Sequence, residues 1–442
     1  MEVRTPDEIP PSAFHLRLAL IAGGGPFCDG YILGLIGIVL PALVADFHLS
    51  ADMTGLIGAS SLLGVFVGGL SGGIISDRFG RKLLYTVNIV MFAIFSAAQF
   101  FGGSFLSLLM WRFLIGVAIG ADYPIATAYV TEFMPRRWRG PALAGLITFW
   151  WLGYVVSFMI GYVLISWYPG NWHLVLGSGF VPSVLLLFCR AGMPESPLWL
   201  AGSGRIAEAR HIVKTLLRAD ISFEGVSTDC RRGGAGGALS MLLSRRYRGT
   251  LLFICAFWIL QSAPAFSIHT LQAQILEQMH MRNPLLAACV VTSFTFLGIL
   301  PISFGLINVM GRRTLLIWSF ILGALSLLFI AVWPGQAGWL VVAAFIIYSA
   351  VEAAGSGLQF VYPNELFPTE IRGTAVGFAS SASRLGGALG TFLLPLGVSH
   401  YGVRTTIFAA CTILAAGAFI SWRWAPETSG LSLSDASRIT LS

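Results

Sequence analysis

Five ionisable residues stand inside runs of apolar sequence: Asp29, Arg112, Asp122, Glu352 and Arg384. A charge at the centre of a bilayer costs about 2.5–3.5 kcal/mol on insertion scales, so such residues pair, face water or bind something. Asp29 and Arg112 have the chemistry of a protonation-sensitive pair. A carboxylate beside an arginine stays ionised, and one parted from it in dry surroundings takes up a proton. The alternative for these two is a static buried ion pair that fixes helix packing. Asp122, in Asp122-Tyr123-Pro124, lies ten residues beyond Arg112, about 15 Å along a helix. It suits a second proton or substrate contact, or a hydrogen bond to neighbouring hydroxyls. Arg384 lies between the small residues Ser380 to Ser383 and the pair Gly386-Gly387. Its guanidinium offers planar, paired donors to a carboxylate or phosphate. If Glu352 neutralises it, a neutral or zwitterionic solute fits better.

Polar and aromatic side chains complete the candidate pocket: Tyr123, Trp150, Trp151, Trp258, Gln261, His269, Gln272 and Gln359. A tryptophan in such a run stacks on a substrate ring or packs against lipid and neighbouring helices. His269 has the chemistry to titrate near neutral pH, or simply to hydrogen-bond.

The elements that must position these residues follow from composition. The chain has 442 residues, 56% of them hydrophobic and only 11% charged, with a mean hydropathy of +0.79. Soluble domains carry about 25% charged residues, so lipid must be the main solvent here. Runs that can span lie near 16–44, 53–76, 83–103, 105–129, 141–166 and 174–190, then 251–274, 285–308, 314–333, 337–362, 374–399 and 404–422. The fold class is an all-α membrane protein with twelve transmembrane helices. Residues 1–190 form an N-terminal six-helix bundle, 191–250 a linker, and 251–442 a C-terminal six-helix bundle with a tail. Gly23-Gly24-Gly25-Pro26 and Asp29 predict a break in the first helix, of the kind tolerated where a helix lines a cavity.

Orientation follows from the bases. Arg282 and Arg404 fall in loops on one side, Arg112 and Arg384 within helices, and the other lysines and arginines on the opposite side, which the positive-inside rule makes cytoplasmic. Both termini and the linker are then inside. The net charge of +7 is thus a topology signal and does not indicate nucleic acid. The six cysteines show no CxxC spacing, and neither a disulfide framework nor a metal site is expected. The polar start of the chain lacks the pattern of a cleaved signal peptide. With no nucleophile–base pair or phosphate-cradling loop, an enzyme is not expected. Efflux of an apolar drug fits poorly with five buried charges.

An internal repeat orders the chain. Glu132-Phe-Met-Pro-Arg-Arg-Trp-Arg139-Gly140 recurs as Glu365-Leu-Phe-Pro-Thr-Glu-Ile-Arg372-Gly373, Gly80-Arg81-Lys82 as Gly311-Arg312-Arg313, and Pro194-Glu195-Ser196 as Pro426-Glu427-Thr428. Three matches at nearly one offset indicate duplication of a six-helix unit. Two such halves suit rocking-bundle alternating access, with a site between them at the membrane midplane. Gln261 falls near the repeat equivalent of Asp29, which places it on the pathway side.

These motifs resemble the major facilitator superfamily over the whole chain. Gly73-Ile-Ile-Ser-Asp77-Arg78-Phe-Gly80-Arg81-Lys82 is similar to its loop between helices two and three. Pro194-Glu-Ser-Pro-Leu-Trp-Leu200 and Pro426-Glu-Thr-Ser-Gly430 resemble sugar-porter signatures. Asp29-Gly-Tyr31, Gly120-Ala-Asp122-Tyr-Pro-Ile-Ala-Thr127 and Arg384-Leu-Gly-Gly387 are closer to the metabolite:proton symporter branch, including the YaaU-type metabolite transporters. Leu198 and Asn308 depart from the pattern, where sugar porters carry Arg and the loop motif carries Asp.

The resemblance implies a proton-coupled symporter, with the proton as coupling ion and no other cofactor. Asp29, Arg112 and Asp122 would couple the proton. Arg384, Glu352, Tyr123, Gln261, Gln359, Trp150 and Trp258 would bind substrate. Asp77, Arg81, Glu132, Arg139, Glu365 and Arg372 would form ion pairs closing the cytoplasmic side; ordinary charge anchoring is the alternative. An arginine at the place of Arg384 in organic-anion carriers implies a small carboxylate as substrate. A neutral sugar or polyol, or inorganic phosphate, are the other readings; for phosphate, Leu152 and Ser262 stand where Gln and Asp are expected. A transporter-like sensor would bind solute and move none. The expected setting is the bacterial inner membrane, as a multi-pass monomer in lipid that binds a small molecule.

Overall fold

The computed structural model describes residues 12–217, 235–279, 281–301, 307–332 and 338–429. The helices in chain order are α1 (Ala13–Phe47), α2 (Ala51–Phe79), α3 (Arg81–Phe100), α4 (Phe105–Phe133), α5 (Arg136–Trp167), α6 (Trp172–Gly177) and α7 (Phe180–Arg190). Short helices α8 (Pro197–Gly202), α9 (Ile206–Ile212) and α10 (Ala235–Leu242) occupy the linker. The second half holds α11 (Arg248–Gln278), α12 (Pro284–Pro301), α13 (Ile307–Met310), α14 (Arg312–Val332), α15 (Gly338–Leu366) and α16 (Thr369–Trp424). Among the described residues there is no strand.

Ten segments are long and apolar enough to cross a membrane, α6 and α7 forming one of them together. The last, α16, is two helices joined at Gly402, whose φ of 80° is non-helical. Dividing it there and adding the shorter apolar α12 brings the crossings to the twelve expected. The all-α membrane architecture is thus as read from the sequence. Both ends of the bundle's chain, and the turns before Arg81 and Arg312, lie on one face, called the terminal face below.

The expected break in the first helix does not occur. Helix α1 runs unbroken for 35 residues with Pro26 and Pro41 inside it. Its glycines serve packing instead. A Cβ on Gly25 would lie 2.2 Å from Oδ2 of Asp122, one on Gly30 2.0 Å from the Trp150 carbonyl oxygen, and one on Gly23 2.5 Å from the Phe149 ring. Small residues let helix backbones approach closely in lipid, where no water drives association.

The repeat is a repeat of structure at the terminal face. Gly80 (φ 100°) and Gly311 (φ 78°) turn the chain into α3 and α14. Their positive φ favours glycine, and a Cβ on either would lie 2.7 Å from Oε2 of Glu195 or Glu427. Glu195 accepts from the amides of Arg81 (3.0 Å) and Lys82 (3.2 Å). Glu427 accepts from those of Arg312 (2.9 Å) and Arg313 (3.1 Å). Each carboxylate thereby caps orphan donors at a helix start, where the dipole also favours negative charge. Tyr129 donates to the Pro194 carbonyl and Tyr362 to that of Pro426.

The two halves meet on the face away from the termini. Cβ atoms on Gly55 and Gly58 of α2 would lie 2.3 Å from the Phe392 oxygen and 2.9 Å from Thr391 Cγ2 of α16. Cys289 of α12 lies 3.3 Å from the Phe158 carbonyl of α5. Gly373 and Gly377 share the face of α16 that carries Arg384. At both, and at Gly145 and Gly357, a Cβ would meet no described atom within 4 Å.

Candidate functional site

A cavity lies between the halves, enclosing about 620 Å³ of empty space that includes open solvent. The first half contributes Tyr123 of α4 with Trp150, Trp151 and Tyr154 of α5. The second contributes Phe266 and His269 of α11, Glu352 and Gln359 of α15, and Arg384 of α16. Tyr123, Trp150, Gln359, Glu352 and Arg384 thus come together from distant parts of the sequence.

Arg384 reaches Tyr123 and lies over two rings, its guanidinium carbon 5.1 Å from the Phe266 centroid and 5.9 Å from that of Tyr123. Among the described residues no carboxylate stands at ion-pair distance from it. Glu352 does not neutralise it: Glu352 Oε2 faces His269 Nε2 at 3.6 Å. His269 packs its ring against Trp151, Tyr154 and Tyr348.

Two expected substrate contacts lie elsewhere. Trp258 is buried in the second half, with its ring against Phe257 and its carbonyl accepting from Ser262. Gln261 stands one layer behind the cavity, bonded to Gln359 (3.1 Å) and to the Glu352 carbonyl (3.3 Å). It positions two lining residues and does not line the space itself.

A second group of charges is sealed inside the first half. Asp29 and Asp122 have no solvent exposure, Arg112 1% and Arg190 5%. The expected Asp29–Arg112 pair is not made. Arg112 Nη1 lies 3.4 Å from the Ile32 carbonyl, and its Nε and Nη2 have no hydrogen-bond partner. Asp122 packs against α1 at Gly25, about one turn before Asp29, and Arg112 reaches α1 at Ile32, about one turn beyond it. Asp122 pairs instead with Arg190 of α7, which the sequence alone counts only among the bases of the cytoplasmic side. Arg190 Nη1 and Nη2 both lie 3.4 Å from Asp122 Oδ1, Nη1 also donates to the Tyr85 carbonyl at 2.6 Å, and the guanidinium covers the Tyr85 ring at 3.3 Å. Both oxygens of Asp29 lack a hydrogen-bond partner, and the carboxylate sits in the combined field of Asp122, Arg190 and Arg384.

At the terminal face, Arg81 reaches Glu132 at 3.4 Å and Arg312 reaches Glu365 at 3.1 Å. Both pairs lie within one half. They brace α3 against α4 and α14 against α15. Arg372 donates to the Phe367 carbonyl of its own half. The side chains of Asp77 and Arg139 lie outside the described residues.

The chain matches the sugar (and other) transporter family from residue 18 to residue 439. It belongs to that family of the major facilitator superfamily. It is 38% identical to YaaU of Escherichia coli K12, described as a metabolite transport protein, over 98% of this chain and 97% of that one. It is 34% identical to YgcS of the same organism, an inner membrane metabolite transport protein, over 98% and 96% of the two chains. Its fold matches the E. coli xylose transporter XylE in a partially occluded inward-open conformation, with a TM-score of 0.82 and 20% identity over 95% of this chain and 100% of XylE. This multi-pass membrane protein is therefore a transporter of sugar-porter type and not an enzyme.

Proposed function

We propose that this transporter is a proton-coupled symporter of a small organic anion, a carboxylate, working by alternating access. The observation that carries this reading is Arg384: a guanidinium that lines the cavity, backed by aromatic rings, with no acidic partner among the described residues. A cation left in a low-dielectric cavity attracts an anion, and its paired donors match a carboxylate. Asp29 and Asp122, buried together with Arg190 paired to Asp122, supply the proton site. Two buried carboxylates against one adjacent arginine favour one bound proton. The face that carries the basic turns before Arg81 and Arg312 is cytoplasmic. The protein works as a monomer in a bacterial inner membrane.

A neutral sugar is the second reading, favoured by the family itself. Phosphate is less favoured, since Ser262 rather than an acid faces the cavity and the walls are aromatic. A thermal-shift panel of carboxylates, sugars and phosphate on the purified protein separates these. Stabilisation by carboxylates that is lost in Arg384→Gln supports the anion; stabilisation by sugars alone, unchanged in that variant, overturns it. Absence of counterflow in proteoliposomes with a stabilising ligand would make the protein a sensor.

A further inference from the structure

The cavity contains a second set of polar groups that anion binding at Arg384 does not use. His269 and Glu352 have side-chain exposures of 6% and 9%. Nδ1 and Nε2 of His269 and Oε2 of Glu352 have no hydrogen-bond partner. The 3.6 Å between Nε2 and Oε2 is too long to count as a hydrogen bond. Buried polar atoms are almost always satisfied, and both residues line the cavity, so a bound group is the natural partner.

The two polar ends engage different neighbours. Arg384 lies over Phe266, whereas Glu352 faces His269, three residues on along α11, which sets the ends about 5 Å apart along that helix. Aromatic surface runs between them. Trp150 of the first half and Phe266 of the second stand edge to face with centroids 6.5 Å apart, and Trp150 stacks on Tyr154 at 5.4 Å. Flat rings gain from edge-to-face and offset contacts with such walls, which an alkyl chain does not match.

From this we infer that the cavity takes an aromatic carboxylate with a hydrogen-bond donor, a hydroxyl or ring N–H, on the side away from the carboxylate, and that His269 and Glu352 are the specificity-determining residues for that donor. The inference rests on the anion reading above. The carboxylate meets Arg384, the ring lies along Trp150 and Phe266, and the donor fills the vacant acceptors. A site built to hydrogen-bond a substrate hydroxyl discriminates against the analogue lacking it, because its own polar atoms are then left unpaired.

Isothermal titration of the purified full-length protein with 3- and 4-hydroxybenzoate, benzoate and cyclohexanecarboxylate tests this. One of the hydroxybenzoates should bind about tenfold or more tightly than benzoate, and benzoate more tightly than the saturated ring acid. The hydroxyl preference should shrink to about threefold or less in Glu352→Gln and in His269→Gln, each compared as a ratio within the same variant. Equal binding of benzoate and both hydroxybenzoates by the wild type, or a saturated ring acid binding as well as benzoate, would overturn the inference and leave the anion reading standing. So would a preference that survives in both variants. Failure of every carboxylate to bind would overturn the anion reading itself.

Discussion

Arg190 reaches one oxygen of Asp122 through both of its terminal nitrogens, at 3.4 Å each, in a pocket closed to solvent. Removing one partner of such a pair leaves an uncompensated buried charge, which costs about 3–5 kcal/mol. Arg190→Ala should therefore lower the unfolding temperature strongly or abolish folded yield. The double variant Arg190→Gln with Asp122→Asn, which removes both charges and keeps shape, should recover most of the loss. Scanning fluorimetry checks this; a double variant no better than the worse single one would show that the pair is not the source of the stability.

Arg112 presents the opposite case. It is buried, with one carbonyl at 3.4 Å and no acid beside it. Replacing a poorly compensated buried charge with an apolar side chain of similar volume is often neutral or stabilising by about 1–4 kcal/mol. Arg112→Met should keep or raise the unfolding temperature. A marked loss of thermal stability would contradict this.

The glycine contacts give a graded test of packing. A Cβ at Gly30 would sit 2.0 Å from the Trp150 backbone oxygen, and one at Gly153 2.0 Å from that of Phe27. Backbone cannot rotate away, so Gly30→Ala and Gly153→Ala should each cost at least the roughly 1–3 kcal/mol of an overpacked core. At Gly145 and Gly377 a Cβ meets no described atom within 4 Å, and alanine there should be neutral or raise stability by up to about 1 kcal/mol through helix propensity. Equal losses at all four positions would refute the helix contacts described.

Glu427 sets a pH dependence at the terminal face. Partial burial pushes its carboxyl up, but amide donation from Ser429, Arg312, Arg313 and Thr428 outweighs this and holds it below the ordinary value of 4.5. Folding then favours the ionised form, so its contribution is fully present above 4.5 and fades as pH falls through the lower folded value. Glu427→Gln should destabilise by about 1 kcal/mol at pH 7, as for a lost helix cap, with the difference from wild type shrinking in acid. A difference independent of pH down to pH 3 would show that the carboxylate charge is not what caps α14.

The helices and their repeat were legible because lipid leaves little choice: each crossing must be a long apolar run, and each turn carries its own glycine and charge motif. The partners of the buried charges were not legible. Arg190 ends a span, where any basic residue satisfies the topology rule, and only the packing of α7 on α3 and α1 turns it inward. Glu352 faces His269 of α11 and not Arg384 of α16, and sequence spacing does not separate these two neighbours. Gly23 to Pro26 gave the wrong expectation because a glycine run is equally a weak point in an isolated helix and a contact surface in a packed one. Arg81 and Glu132 were correctly suspected of pairing, but the repeat alone does not say whether such a pair ties two halves or braces one.

The central claim is that movement of an organic anion through the cavity carries a proton with it. It is tested most directly in proteoliposomes containing a trapped pH-sensitive dye, with 3- or 4-hydroxybenzoate added outside. The account predicts internal acidification faster than in protein-free liposomes, lost in Arg384→Gln, and lost in Asp29→Asn while that variant still exchanges labelled hydroxybenzoate across the membrane. Labelled uptake without acidification in the wild type, or acidification by Asp29→Asn equal to wild type, would contradict it.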